Sequence, residues 1–228
     1  GDELRFADLS NDGSLDLLIG ISFADDDADG TEGRQDTGEV SVVWGPPPMG
    51  ASELDLDPNG VDVGDFWTSR GRDAGDGYGD TFAVGDVDGD GYADLVVAAP
   101  FSEGRSNERP GAGEIWVRYG SASLGRGSSS EDLADVLAPY PVIWGGAQGD
   151  GLGSALVMGS VDLDPFIDHA EIITSSPFKT APDPDPLDPD DAGERPGAGS
   201  VWLLTTYDND EDGIRNLSDN CPNTFNPN

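Results

Sequence analysis

Short apolar runs separated by acidic, glycine-rich turns fill this chain, and they recur in a fixed order. Each unit opens on a glycine-led strand: Gly1-Asp2-Glu3-Leu4-Arg5-Phe6-Ala7-Asp8, then Gly79-Asp80-Thr81-Phe82-Ala83-Val84-Gly85-Asp86, then Gly153-Ser154-Ala155-Leu156-Val157-Met158-Gly159-Ser160. An acidic turn follows, and then a second apolar run at 15–21, 95–99 and 172–175. A variable insert rich in Asp, Gly and Pro comes next and closes on a third β-rich run at 38–44, 113–117 and 199–203. Two inserts end alike, at Glu108-Arg109-Pro110-Gly111-Ala112-Gly113 and Glu194-Arg195-Pro196-Gly197-Ala198-Gly199. Recurrence of this kind is the signature of a repeat architecture, and each unit holds three or four short, turn-bounded strands. Only 128–137 fits a short helix, within a loop.

The run Leu95-Val96-Val97-Ala98-Ala99 is apolar at successive positions, as in a strand covered on both faces. A sandwich predicts alternation instead, with one wet face. Radial blades give cover on both sides, because each lies between neighbours. Gly85, Ala98 and Ala99 suit crowded inner strands. The expectation is an all-β chain of three propeller blades, with repeats near 1–67, 68–144 and 145–206 and a separate acidic segment at 207–228. Rings need about four blades or more. Gly1 and Asn228 each interrupt a repeat, so further blades from the same or neighbouring chains are expected to complete the ring.

Net charge changes the picture. It is −35, from 46 Asp+Glu against 11 Lys+Arg. Phosphates of nucleic acid are repelled by such a chain, and so are anionic membrane surfaces. Low hydrophobicity with high charge also marks disorder; the alternative is that the acids hold cations. Five Trp, eight Phe and the apolar runs favour folding, with 181–193 the most disorder-like stretch. No apolar stretch approaches the ~20 residues that span a bilayer. The single cysteine, Cys221, excludes a disulfide within the chain.

The acidic turns carry the candidate chemistry. In 86–94, carboxylates fall at the first, third, fifth and ninth positions: Asp86, Asp88, Asp90 and Asp94. Gly91 permits a sharp turn, and the Tyr92 carbonyl can point inward. Alternate side chains on a tightly curled loop converge, which suits a calcium ion taking six to eight oxygens. Magnesium demands stricter octahedral geometry. Unneutralised, such carboxylates repel one another. The first turn offers Asp8, Ser10, Asp12, Ser14 and Asp16 at matching positions. The third lacks the glycine and is longer, offering Asp162, Asp164, Asp168 and Glu171. His169, the only histidine, reads as a surface loop residue. Two similar openings, at Asp25/Asp27/Asp29 and Asp55/Asp57/Asn59, lack the ninth-position acid and a following strand, and read as solvated loops.

These residues resemble FG-GAP repeats, the units of the integrin alpha-chain β-propeller. Gly77-Tyr78-Gly79-Asp80-Thr81-Phe82, the loop 86–94 and Ala98-Ala99-Pro100 carry the likeness. The first and third copies, ending Gly20-Ile21-Ser22 and Ser175-Ser176-Pro177, are degenerate. The resemblance implies a calcium-stabilised propeller presenting loops for ligand binding or adhesion. Residues 208–222 are similar to a thrombospondin type 3 repeat, whose calcium ligands match Asp208, Asp210, Asp212, the Ile214 carbonyl and Asp219. Asn216 stands where Asp is usual. That likeness implies a disulfide partner for Cys221 outside this chain and an oxidising, extracellular setting. Three to four calcium ions are expected in all.

No Gly-x-Ser-x-Gly elbow, His-Glu-x-x-His or recognisable Ser/His/Asp motif occurs. The acids sit in polar turns and fit ligation better than acid–base work. The function expected is a non-catalytic, calcium-binding scaffold outside the cell or on its surface, with a protein or carbohydrate ligand on its loops and no membrane insertion. The rival is an accessory, carbohydrate-gripping propeller of a secreted hydrolase. Trp44, Trp67, Trp116, Trp144 and Trp202 recur at repeat positions, which favours packing; an exposed one favours the rival.

Overall fold

The computed structural model describes residues 2–25, 33–46, 66–134, 140–161, 170–180 and 197–204. Three antiparallel sheets form in chain order, as blades. The first is β1 (Glu3–Ala7), β2 (Asp16–Ile21), β3 (Glu39–Val43) and β4 (Phe66–Arg70). The second is β5 (Thr81–Gly85), β6 (Asp94–Ala99), β7 (Glu114–Arg118) and β9 (Val142–Trp144). The third is β10 (Leu156–Gly159), β11 (Glu171–Ser176) and β12 (Ser200–Leu204). Within each of these three sets every strand pairs antiparallel with the one after it, and the inner strand β5 contacts both β1 and β10. This radial order is the propeller arrangement, and a sandwich is excluded.

The short helix expected at 128–137 is not what the described part of that segment forms. Glu131–Asp132 make a two-residue strand, β8, parallel to β4 through Ser69↔Glu131 and Arg70↔Asp132. The backbone of the second blade's insert thus extends the first blade's sheet, and Trp67 Nε1 donates to Ser129 O at 2.9 Å. Long-range pairing to an open sheet edge overrides a weak local preference. Among the described residues there is no helix, hence none long and apolar enough to cross a membrane.

β6 explains the continuous apolar run. All six of its residues are buried. Leu95, Val97 and Ala99 pack with Leu18, Val40, Val42 and Trp67 of the first blade. Val96 and Ala98 turn the other way, toward Leu152, Leu156 and Ile172 of the third. The outermost faces lack such cover: Leu4, Phe6, Val201 and Leu203 are exposed. Their counterparts in the second blade, Phe82, Val84, Ile115 and Val117, lie in the two cores.

Neighbouring blades are stitched by the same backbone ladder at both seams. At the first seam, the N–H groups of Gly75, Gly77, Tyr78 and Gly71 donate to the carbonyls of Gln35, Asp36, Thr37 and Gly38 at 2.9, 3.3, 3.1 and 3.0 Å. At the second, Gly149, Gly151, Leu152 and Gly145 donate to Pro110, Gly111, Ala112 and Gly113 at 3.0, 2.9, 3.0 and 2.8 Å. The acceptor loops turn through left-handed residues, Asp36 and Gly38 in one and Gly111 and Gly113 in the other. Glycine takes that conformation without steric cost.

Candidate metal centre

The acidic turns of the first and second blades lie at one end of those blades, between the first and second strands. In the β5–β6 turn, ligand oxygens of Asp86, Asp88 and Asp94 lie within 4.8 Å of one another. Asp86 is held by its own loop: Gly89 N and Asp90 N donate to Oδ1 at 2.6 and 3.2 Å, and Gly91 N to Oδ2 at 2.8 Å. Gly89 and Gly91 both have positive φ, which is what curls the loop back on its first carboxylate. Asp90 is exposed and accepts from Tyr92 N at 2.8 Å.

The ninth-position acid is different in kind. Asp94 is fully buried, and its two oxygens accept from Val87 N and Gly120 N, each at 2.7 Å. Burial pushes its carboxyl up to about 6 against those two bonds, and the charges of Asp88 and Asp86 add to the rise. Asp16 repeats the arrangement, with Leu9 N and Ser10 N on Oδ2 at 2.9 and 3.2 Å and Gly45 N on Oδ1 at 2.8 Å. Its carboxyl is likewise raised, chiefly by burial. Glu171 completes the series, buried and accepting from Val161 N at 2.8 Å. The last acid of each turn, at the ninth position in the first two, is therefore a clasp as well as a candidate ligand.

In the first turn Asp8 is braced by Asp12 N and Gly13 N at 3.0 and 2.8 Å, and Asp12 accepts from Ser14 N at 2.8 Å. Ser10 Oγ, at the third position, is buried with no hydrogen-bond partner in the structure. Among the described residues, 86, 88 and 94 are the carboxylates gathered as a group of three. Asp162, Asp164, Asp168 and His169 lie outside the described residues, as do the whole of 207–228 with Cys221 and most of the two acidic turns read as solvated. Of the latter, Asp25 is described, and its Oδ1 accepts from Asp36 N at 2.9 Å, bracing an acceptor loop of the seam.

Residues 78–117 match the FG-GAP repeat family. This FG-GAP repeat spans β5, the acidic turn, β6 and most of β7. Over 160 residues the chain is 33% identical to integrin alpha-PS2 of Drosophila melanogaster, covering 67% of this chain and 10% of that protein. It is also 36% identical over 127 residues to phosphatidylinositol-glycan-specific phospholipase D of Mus musculus, covering 56% of this chain and 14% of that protein. The Rattus norvegicus protein of the same name is 33% identical over 176 residues, with 75% and 18% covered. The chain thus spans less than a fifth of each of these relatives.

Two elements escaped the sequence reading. One is the pair Trp44-Gly45 and Tyr119-Gly120 beyond the third strands, whose glycine N–H groups reach Asp16 and Asp94. A Cβ at Gly45 would stand 2.0 Å from Leu15 O, so only glycine brings that N–H in. An aromatic-Gly dipeptide after the third strand was the available signal. The other is the buried acid of Gly75-Asp76-Gly77 and Gly149-Asp150-Gly151, at the blade end opposite the acidic turns.

Asp76 has a measurable signature. Burial, then the neighbouring Glu114, push its carboxyl up to about 7, with Arg72 opposing. Between pH ~4 and ~7 the folded state then binds more protons than the unfolded one, so stability falls as pH rises through that window. Asp76→Asn removes this dependence. The variant is expected to be more stable than the parent by about 1–4 kcal/mol at pH 8 and to match it near pH 4. Urea denaturation at the two pH values checks this, and an equal difference at both refutes it.

Proposed function

We propose that the chain is a calcium-stabilised portion of an extracellular β-propeller, serving as a non-catalytic scaffold for adhesion or ligand binding. The observation that carries this is the convergence of Asp86, Asp88 and Asp94 in an FG-GAP blade. Three close carboxylates fit a hard divalent cation that neutralises their repulsion. Asp90 and the Tyr92 carbonyl add oxygens on the same loop. In the first turn the unpartnered Ser10 Oγ fits a ligand role beside Asp8, Asp12, Asp16 and the Ser14 position. The third turn and the thrombospondin-like segment bring the proposed total to three or four ions. Calcium here supplies positive charge that locks loops; it has no chemistry to perform.

The exposed outer faces of the first and third blades favour further blades on either side, since equivalent faces inside the chain are cores. The likeness to an integrin alpha chain favours a protein ligand or partner chain and a place outside the cell. The likeness to a phospholipase D favours the second reading, an accessory propeller of a secreted hydrolase. Exposed Trp202 favours it as well.

Extracellular calcium sites bind at about 10⁻⁴ to 10⁻³ M. At millimolar calcium each is then worth about 0.4–1.4 kcal/mol. Chelation is expected to lower the melting temperature, and terbium luminescence to report the sites through nearby Tyr92. Asp86→Ala should abolish the strongest terbium signal. An unchanged melting temperature with and without chelator sinks the calcium reading.

A further inference from the structure

The two blade seams share a backbone ladder but not their side chains. At the first seam three arginines fill the space behind the ladder. Arg72 lies 5.4 Å from the Trp116 ring and 5.2 Å from the Trp144 ring, 3.4 Å from Glu114. Arg118 lies 4.7 Å from Trp67 and 3.0 Å from Glu131, and Arg70 is 3.6 Å from Glu39. At the second seam the repeat places Gly146, Leu204 and Trp144 where Arg72, Arg118 and Arg70 stand. The result is a cavity of about 260 Å³.

Its walls are Ile143, Trp144, Leu152, Trp202 and Leu204. Trp202 is the counterpart of Trp116, yet 39% exposed where Trp116 is 4% exposed. Its indole is oriented, with Nε1 donating to Ser176 Oγ at 3.2 Å. One end of the cavity is polar. Asp150 is buried there, fixed by Ala147 N at 3.2 Å, and Lys179 Nζ stands 3.4 Å from Asp150 Oδ2 and 5.2 Å from the Trp202 ring.

This combination selects a ligand class. A cation meets Lys179, with Asp150 already paired; an anion meets Asp150 and a chain of net charge −35. A wholly apolar group would desolvate the ion pair without compensation. The cavity is smaller than the ~300–1,000 Å³ of drug-sized sites, so it holds about one ring. A neutral ring with an apolar face and hydroxyls on its edge satisfies every wall. We propose that this inter-blade cavity is a binding site for a single hexopyranose unit of a glycan. The sugar's C–H face lies on Trp202, which is apolar on its face and polar at its edge. Adjacent hydroxyls then accept from Lys179 and donate to Asp150, as charge-assisted bonds.

This deepens the ligand-binding reading above without resting on its calcium sites. The test titrates the full chain, at saturating calcium, with the methyl glycosides of glucose, galactose, mannose and N-acetylglucosamine, following tryptophan fluorescence. At least one is expected to give a saturable change, with Kd on the order of 1 mM, as suits a small ligand. Gly146→Gln refills the slot. A Cβ there meets Lys179 Nζ at 3.7 Å and Asp150 Oδ2 at 3.8 Å, ordinary contacts, so the fold is expected to persist. Binding should fall at least about tenfold, or 1.4 kcal/mol. Trp202→Leu, at a side chain already part exposed, should do the same when binding is read by titration calorimetry, since the substitution removes the reporting indole, and terbium luminescence reports the integrity of both variants. No response to any of the four glycosides, or binding that survives either substitution, overturns the proposal; terbium binding that persists in that event leaves the calcium scaffold standing.

Discussion

Gly113→Ala is expected to open the seam between the second and third blades and to cost more than about 4 kcal/mol, while Gly149→Ala on the same seam costs only about 1–2. Both glycines are left-handed, at φ +84° and +76°, so both substitutions carry the same backbone strain. They differ in what a side chain meets. A Cβ on Gly113 would stand 2.1 Å from Leu152 O and 2.5 Å from Leu152 N, both backbone atoms that a rotamer change cannot move. A Cβ on Gly149 meets nothing within 4 Å. The first substitution must push the Leu152 segment away. That strains the four ladder bonds, each worth about 1 kcal/mol net, and uncovers Ile115 and Val117 from Leu152 and Leu156. Urea denaturation gives the two costs, and hydrogen exchange at Gly151 and Leu152 locates the opening. Equal costs for both would mean that close backbone approach is not what selects glycine at the seam.

The fold was legible because its strongest constraint is one-dimensional. A strand buried on both sides must be apolar at every position, and β6 is buried throughout, just as 95–99 reads. Loop chemistry was legible for a similar reason: Asp86, Asp88 and Asp94 converge because a curled turn brings alternate residues together, a local property. What escaped depends on distant segments. The strand at Glu131–Asp132 exists only because β4 offers an edge from over sixty residues earlier in the chain. The contrast between the seams lies in the exchange of Arg72 for Gly146, which carries no meaning until the fold shows that both positions face a tryptophan of the following blade. Recurrence at a repeat position predicts packing for Trp202, as holds for its counterpart Trp116, yet the structure leaves Trp202 part exposed.

Asp94→Ala should be the most damaging single change in the acidic turns, and it should damage the protein in chelator as well as in calcium. A reading of Asp94 as a ligand alone predicts that its loss matters only when the ion is bound. Its geometry says otherwise. With no exposed surface, it accepts from Val87 N and Gly120 N, each at 2.7 Å. Alanine leaves both N–H groups buried without a partner, and each such group costs about 1–3 kcal/mol. The calcium-independent loss is therefore about 2–6 kcal/mol. Asp90 is exposed and supports only the Tyr92 N–H, so Asp90→Ala should cost under about 1 kcal/mol in chelator and show the rest of its effect with calcium. Against this stands the strain that Asp94 itself carries, since burial raises its carboxyl to about 6 and its removal relieves that charge. The two buried N–H groups outweigh the relief, because alanine leaves each of them without an acceptor. Thermal and urea unfolding of both variants, with millimolar calcium and with chelator, separates the two roles. If Asp94→Ala costs no more than Asp90→Ala in chelator, the clasp is not structural and Asp94 acts through the ion alone.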